Sequence, residues 1–182
     1  DWSGVVLVHL KMTGQLVWRP SNWEKGEWKE ELAGGHPTDD WVNELPSSHT
    51  RVIWSFEDDS KLFFNDMRVF GWMKIKEKSE WEEKEKKMPP DVIDDDFTLE
   101  YFRNFLFSTR RMIKTALMDQ NKIGGVGNIY ASDALWKAKI HPEKRVNKLD
   151  EEEVKKLYNA VVEVVEKGIK MGGATYSDFK DT

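Results

Sequence analysis

Apolar positions change their spacing near residue 88. Before it they come in short runs or alternate with polar residues, the period of strands. Val5-Val6-Leu7-Val8 is a continuous apolar run and predicts a strand buried on both faces. So near the first residue, it also predicts sheet partners that lie partly outside these 182 residues. Residues 9–18 continue extended, with Leu10, Met12, Leu16 and Val17 available for burial and Gly14 as a bend. Arg51-Val52-Ile53-Trp54-Ser55-Phe56 and Lys61-Leu62-Phe63-Phe64 flank the polar Glu57-Asp58-Asp59-Ser60, which predicts a hairpin. Residues 67–76 add one more strand. Residues 19–48, punctuated by Pro20, Gly26, Gly34, Gly35, Pro37 and Pro46, read as a long connection.

Residues 74–87 are charge-dense, with only Ile75 and Trp81 as apolar anchors, and Met88-Pro89-Pro90 closes the run. This is the expected linker, dividing the chain into a partial β-sandwich at 1–86 and a helical domain at 87–182. Leu99, Phe102, Phe105 and Leu106 mark a helix that Asp96 or Thr98 can cap. Ile113, Ala116, Leu117 and Gln120 mark a second, and Gly124, Gly125 and Gly127 then make a tight turn. Asn128 stands where an N-cap belongs, ahead of a helix over 129–138 that His141-Pro142 ends. Asp150 and Glu153 form a capping pair for the longest helix. Its stripe of Val154, Leu157, Tyr158, Val161, Val162, Val165 and Ile169 is core, and Gly172-Gly173 stops it. The fold class is α+β: antiparallel β-sandwich, then an all-helical domain.

Composition narrows the function. Without cysteine there is no disulfide framework and no thiolate zinc site. No apolar run approaches the ~20 residues of a membrane span, and no signal-peptide pattern opens the chain, so the simplest compartment is the cytoplasm. Several of the nine tryptophans (Trp23, Trp28, Trp41, Trp81) stand among polar residues, which predicts partly exposed packing. A net charge of −5 argues against uniform coating of nucleic acid. Yet residues 101–145 hold nine Lys/Arg against three Asp/Glu, a local +6. There the glycine turn before a helix presents unpaired N–H groups, a natural seat for phosphate. Neither the dinucleotide glycine spacing nor a Gly-Lys-Ser/Thr ending is present. A phosphate-holding hairpin and a purely structural one remain, and the charge favours the first.

The residues nominate no catalyst. Glu57 to Asp59 and Asp94 to Asp96 fall in turn and capping positions; His9, His36, His49 and His141 lack metal-ligand spacing; no Ser or Thr occupies a nucleophile elbow. No cofactor or metal is implied by this chain.

Longer words carry a resemblance. Ile113-Lys114-x-x-Leu117-Met118-Asp119-Gln120, then Gly125-Val126-Gly127-Asn128-Ile129-Tyr130-Ala131-Ser132-Asp133-Ala134-Leu135, then Ile140-His141-Pro142, is similar to the helix–two-turns–helix element of the formamidopyrimidine-DNA glycosylases. His9-Leu10-Lys11-Met12-Thr13-Gly14 resembles the family strand whose methionine enters the gap left by a flipped nucleotide. Phe64-Asn65-Asp66-Met67-Arg68-Val69-Phe70-Gly71 resembles the loop that completes the wedge. The resemblance covers roughly 4–18, 49–76 and 88–182. It implies a wedge of Met12, Arg68 and Phe70, and phosphate contacts at His49, Lys114, Gly127 and Asn128. Extruding a base costs a few kcal/mol, which an apolar plug and a cation facing the orphaned base offset.

The implied activity is excision of oxidised purines (8-oxoguanine, formamidopyrimidines) from double-stranded damaged DNA, with nicking of the abasic site, by a monomer that needs no membrane. The family's nucleophile is an N-terminal proline followed by a glutamate, and its lesion-covering loop and four-cysteine zinc ribbon come near the C-terminus. A chain from Asp1 to Thr182 resembles the central part of such an enzyme, expected to bind DNA without catalysis. Where the family usually has Pro-Arg-Arg, this chain has Met67-Arg68-Val69, losing one phosphate-contacting arginine; Leu-Gly-Pro-Glu-Pro-Leu becomes Met88-Pro89-Pro90-Asp91-Val92-Ile93. Two rivals are an endonuclease VIII-like enzyme for oxidised pyrimidines and a non-enzymatic helix-hairpin module. The wedge words favour the purine enzyme.

Overall fold

In the computed structural model, which describes residues 4–23, 33–35, 44–171 and 173, the chain forms two units, Asp1–Glu85 and Lys86–Thr182. Trp28 and Trp41 lie outside the described residues.

The first unit is antiparallel β. Strands β1 (Gly4–His9) and β6 (Trp72–Glu77) pair with each other. A four-stranded sheet has the order β3 (Ala33–Gly35), β2 (Gly14–Arg19), β5 (Lys61–Asp66), β4 (Thr50–Ser55). The expected hairpin is β4–β5; in its turn Asp58 accepts from the N–H and hydroxyl of Ser60. Its register shifts between Thr50 and Val52, and such a bulge re-aims a side chain. The small core centres on Val17 and Phe63, flanked by Ala33 and Leu45. Arg19 lies under Trp23, guanidinium carbon 3.5 Å from the ring centroid, so Trp23 covers a cation at the rim of the sheet.

Three expectations are corrected in this unit. Residues 9–18 are not one extended run. The Lys11 N–H donates to His9 Nδ1 (3.0 Å), Lys11 takes a left-handed φ of 54°, and the Gly14 N–H donates to the Leu10 carbonyl (2.8 Å). The chain reverses, β1 and β2 join different sheets, and β1 is half-buried rather than covered on both faces. Residues 67–71 are loop, not strand, because one carboxylate collects their N–H groups, as described below. Residues 74–87 are not an irregular linker. Without Gly or Pro to stop it, β6 runs to Glu77 and passes into helix α1 (Lys78–Glu85). That helix buries no residue; Lys76, near the end of β6, pairs with Glu80 (2.8 Å), and Lys78 pairs with Glu82 one helical turn on (3.9 Å).

The second unit is helical: α2 (Leu99–Phe107), α3 (Ile113–Leu117), α4 (Asn128–Ala138), a 3-10 turn (Val146–Lys148) and α5 (Glu151–Lys170). Thr98, not Asp96, caps α2, its hydroxyl accepting from the Tyr101 N–H at 3.1 Å. Asp150 and Glu153 complete a capping box on α5. The α5 stripe meets Phe102, Leu106, Leu117 and Leu135 in one core, and Phe97 stacks on Tyr158 with ring centroids 5.5 Å apart. Ile169, the last of the expected stripe, is exposed. Gly168 takes the inward position, because the Tyr130 ring fills the space a Cβ there would occupy. Gly173 (φ 106°) returns its N–H to the Gly168 carbonyl at 2.8 Å, ending the helix; Gly172 lies outside the described residues.

Candidate nucleic-acid interface

In the first unit the turn after β1 and the loop after β5 meet over Asp66. This side chain is fully buried. One carboxylate oxygen takes the Thr13 hydroxyl and the Arg68 N–H (3.2 Å), and the other takes the Gly71 N–H at 2.7 Å. The Phe70 N–H points to the same group. Burial alone pushes the Asp66 carboxyl up; these four donors outweigh it and hold it below the usual carboxylate range. Its backbone is clamped too: the N–H donates to the His49 carbonyl (2.9 Å), and the carbonyl accepts from Arg51 Nε (2.8 Å), the residue at the β4 bulge. Gly71 must lack a side chain, since a Cβ would sit 2.7 Å from the Phe64 ring and 3.0 Å from the Asp66 carboxylate. Val69 has a left-handed φ of 56°, a strained state for a β-branched residue.

The clamp presents the three expected wedge residues together. Met12 is 73% exposed and Phe70 61% exposed, an unusual outlay of apolar surface on two adjacent turns. Arg68 links them: Nη1 lies 3.6 Å from the Met12 sulfur, and the guanidinium carbon 5.0 Å from the Phe70 ring centroid. A thioether, a cation and an aromatic ring thus share one protrusion with a rigid base. His49 stands apart from that tip. Half-buried, it serves the clamp through its carbonyl, and its N–H donates to Ser47 Oγ at 3.2 Å. The sequence places Asp66 in the turn with Arg68 and Phe70 but does not single out Thr13 or Arg51 as part of the same clamp. The Thr in Met12-Thr13-Gly14 was the available signal.

In the second unit the glycine turn is fixed from below. Ile123 and Val126 are buried. Gln120 Nε2 donates to the Val126 carbonyl (2.7 Å), the Tyr101 hydroxyl to the Lys122 carbonyl (2.7 Å), and the Gly124 N–H to the Pro90 carbonyl (3.0 Å). Gln120 is therefore not part of α3, which stops at Leu117, and Asp119 turns the chain by accepting from the Asn121 N–H. Gly125 has φ 79°.

Asn128 is corrected from N-cap to first helical residue. Gly127 is the cap, with extended φ/ψ and no capping side chain, because its carbonyl already accepts the first helical bond from the Ala131 N–H (2.9 Å). Gly127 and Asn128 are both exposed, leaving the first N–H groups of α4 bare. Nothing lies within 4 Å of a Cβ built on Gly127, so the fold does not require glycine there; an incoming group would. Lys114 is half-buried at the start of α3, its N–H held by the Pro142 carbonyl (3.2 Å), with no ion-pair partner among the described residues. The arrangement suits a phosphate: bare backbone donors, room for close approach, and a cation without a carboxylate.

There is no cysteine, and among the described residues no three His, Asp or Glu converge. No helix is long and apolar enough to cross a membrane among the described residues.

Comparison with known proteins gives the same pattern for both units. Residues 1–73 match the model of the formamidopyrimidine-DNA glycosylase N-terminal domain, and residues 88–180 that of the formamidopyrimidine-DNA glycosylase H2TH domain. A formamidopyrimidine-DNA glycosylase of Acaryochloris marina is 36% identical over 98% of this chain and 57% of its own length. One from Listeria innocua is 40% identical over 75% of this chain and 51% of its own. Among solved structures, the Lactococcus lactis Fpg in complex with abasic-site DNA aligns with a TM-score of 0.73 at 28% identity, over 95% of this chain and 56% of that one. MutM in complex with DNA containing carbocyclic 8-oxo-G aligns with a TM-score of 0.74 at 28% identity, over 96% and 58%. The chain thus spans somewhat over half the length of the relatives it matches.

Proposed function

Because the chain belongs to the formamidopyrimidine-DNA glycosylase family, we propose that it is the part of a base-excision repair enzyme that opens damaged duplex DNA. The whole protein excises oxidised purines and nicks the abasic site left behind. Met12 and Phe70 enter the stack where the lesion is extruded, Arg68 faces the orphaned base, and Lys114, the Gly127–Asn128 backbone and His49 hold phosphates. Arg68 also shields the Met12 thioether and Phe70 ring on one side, so the protrusion enters the duplex as a unit.

The observation that carries this reading is the buried Asp66 carboxylate, which holds the Met12 turn and the Arg68–Phe70 loop against each other. A structural turn would have no need to hold two large apolar side chains in water. The wedge alone does no covalent chemistry. The carboxylates at 57–59 occupy a hairpin turn, and no side chain at the protrusion is poised as a nucleophile.

The test uses a polypeptide of these 182 residues and three duplexes: undamaged, 8-oxoguanine-containing, and bearing an abasic-site analogue. The abasic duplex, whose gap is already open, should bind at least about tenfold tighter than the undamaged one, since unstacking costs a few kcal/mol. Borohydride should trap no adduct with 8-oxoguanine duplex. Equal affinity for all three would remove the wedge from the reading, and a trapped adduct would overturn the division of labour.

A further inference from the structure

The cluster of cations in residues 101–145 does not act as one field, because ion pairs divide it. Arg103 is held by Glu151 (2.7 Å), Arg111 by Asp119 (3.0 Å) and Lys137 by Glu163 (2.6 Å), and Lys144 is held by Glu153. Lys139 lies over the Trp136 ring, 3.7 Å from its centroid. Lys122 faces Asp119, so among the described residues Arg110, Lys114 and Arg145 are left without a carboxylate.

These three are gathered by one piece of backbone. The segment before α3 pairs antiparallel with the segment after His141-Pro142. The Ile113 N–H donates to the Lys144 carbonyl (2.9 Å), the Val146 N–H to the Arg111 carbonyl (3.0 Å), and Met112 bridges Arg145. Arg145 then folds across this pairing, Nη1 donating to the Arg110 carbonyl at 3.3 Å. The Arg145 guanidinium is thereby held against the backbone of Arg110, both residues exposed, and Arg110 precedes Lys114 by four positions. The acids nearest in sequence are Asp119, engaged by Arg111, and Glu143, exposed in the turn. Placing like charges together without a counter-ion is unfavourable unless an anion arrives from outside.

We propose that Arg110 and Arg145 form a second phosphate contact beside Lys114, extending the grip on the sugar–phosphate backbone beyond the glycine turn. This rests on the duplex-binding reading above. The five N–H donors of Arg110 and the four that Arg145 keeps beyond its bond to the Arg110 carbonyl suit phosphate oxygens, and the contact carries no sequence or lesion information.

The experiment measures the affinity of the 182-residue chain for undamaged and abasic-site duplexes from about 50 to about 300 mM salt, a range in which counterion release is read. Arg110→Ala with Arg145→Ala should flatten the slope of log affinity against log salt by about 1.8, and Lys114→Ala by about 0.9. The double variant should lose affinity about tenfold to a hundredfold for both duplexes alike, leaving the preference for the abasic one unchanged. Arg110→Lys with Arg145→Lys keeps both charges and should keep the slope. An unchanged slope in the double alanine variant, with Lys114→Ala still flattening it, would overturn this inference and leave the duplex-binding reading standing. A wild-type chain with no affinity for duplex would overturn both.

Discussion

Arg68 and Met12, 56 positions apart in sequence, meet at a distance of 3.6 Å between guanidinium nitrogen and thioether sulfur. Neither residue is buried by the fold, so the contact adds little to folding stability. Met12→Ala should therefore leave thermal stability within about 0.5 kcal/mol of wild type, the usual range at exposed sites. It should weaken binding to the abasic-site duplex by about tenfold, the value of burying one Met side chain. Calorimetric melting and fluorescence anisotropy separate the two effects; a loss of stability with unchanged affinity would make Met12 structural.

Asp66→Asn tests the clamp. Four donors face this carboxylate, and an amide brings two donors of its own, so at neutral pH the first unit should lose about 1–3 kcal/mol. The pH profile has a definite sign. Because the folded state holds the Asp66 carboxyl below the ordinary carboxylate range, its contribution is present above that range and disappears as pH falls through the lower folded value. The stability difference between wild type and Asp66→Asn should shrink below about pH 4. Urea melts of both proteins at pH 7 and pH 3 would show it; a difference constant across that range would mean the carboxylate is not what holds the loop.

Val69→Asn should stabilise. A β-branched residue at φ 56° is strained, whereas Asn enters the left-handed region readily. With Val69 exposed, little packing is lost, and the gain should be about 0.5–1 kcal/mol. A melting temperature that falls instead would place the Val69 side chain in a contact that outweighs its backbone strain.

Gly127→Ala separates fold from function most cleanly. Its backbone is extended and its Cβ would meet nothing within 4 Å, so stability should hold within about 0.5 kcal/mol. Duplex affinity should drop about tenfold or more, because the methyl stands where a phosphate must approach the α4 amides. Unchanged affinity would show that the backbone there is not a phosphate seat.

How far the sequence was legible depends on the range of the interaction. Helix periodicity and local capping, as in Thr98, Asp150 and the α5 stripe, are set by neighbours three or four positions away, and those elements formed as expected. The β4–β5 hairpin is local in the same sense. The failures are contacts that periodicity does not encode. The reversal at Lys11 follows from two hydrogen bonds around one left-handed residue, and the loop at 67–71 from a carboxylate that also reaches Thr13, 53 positions away. Asn128 reads as a cap by residue type, yet Gly127 takes that position because the N–H three residues after Asn128 already has its carbonyl. The wedge residues were named through whole words shared with a family; hydrophobic patterning alone placed Met12 among candidates for burial.

The unequal cores have a thermal consequence. Among the described residues the helical unit buries an apolar cluster running from Val92 to Val165, while the strand unit centres on Val17 and Phe63. Amides in α5 should then exchange hydrogen slowest of all, and those of the strand unit should open first on warming. Between those two openings lies a temperature window in which the helical unit keeps its core while the protrusion of Met12, Arg68 and Phe70 has come apart, so any task the two units share would fail before the chain as a whole unfolds.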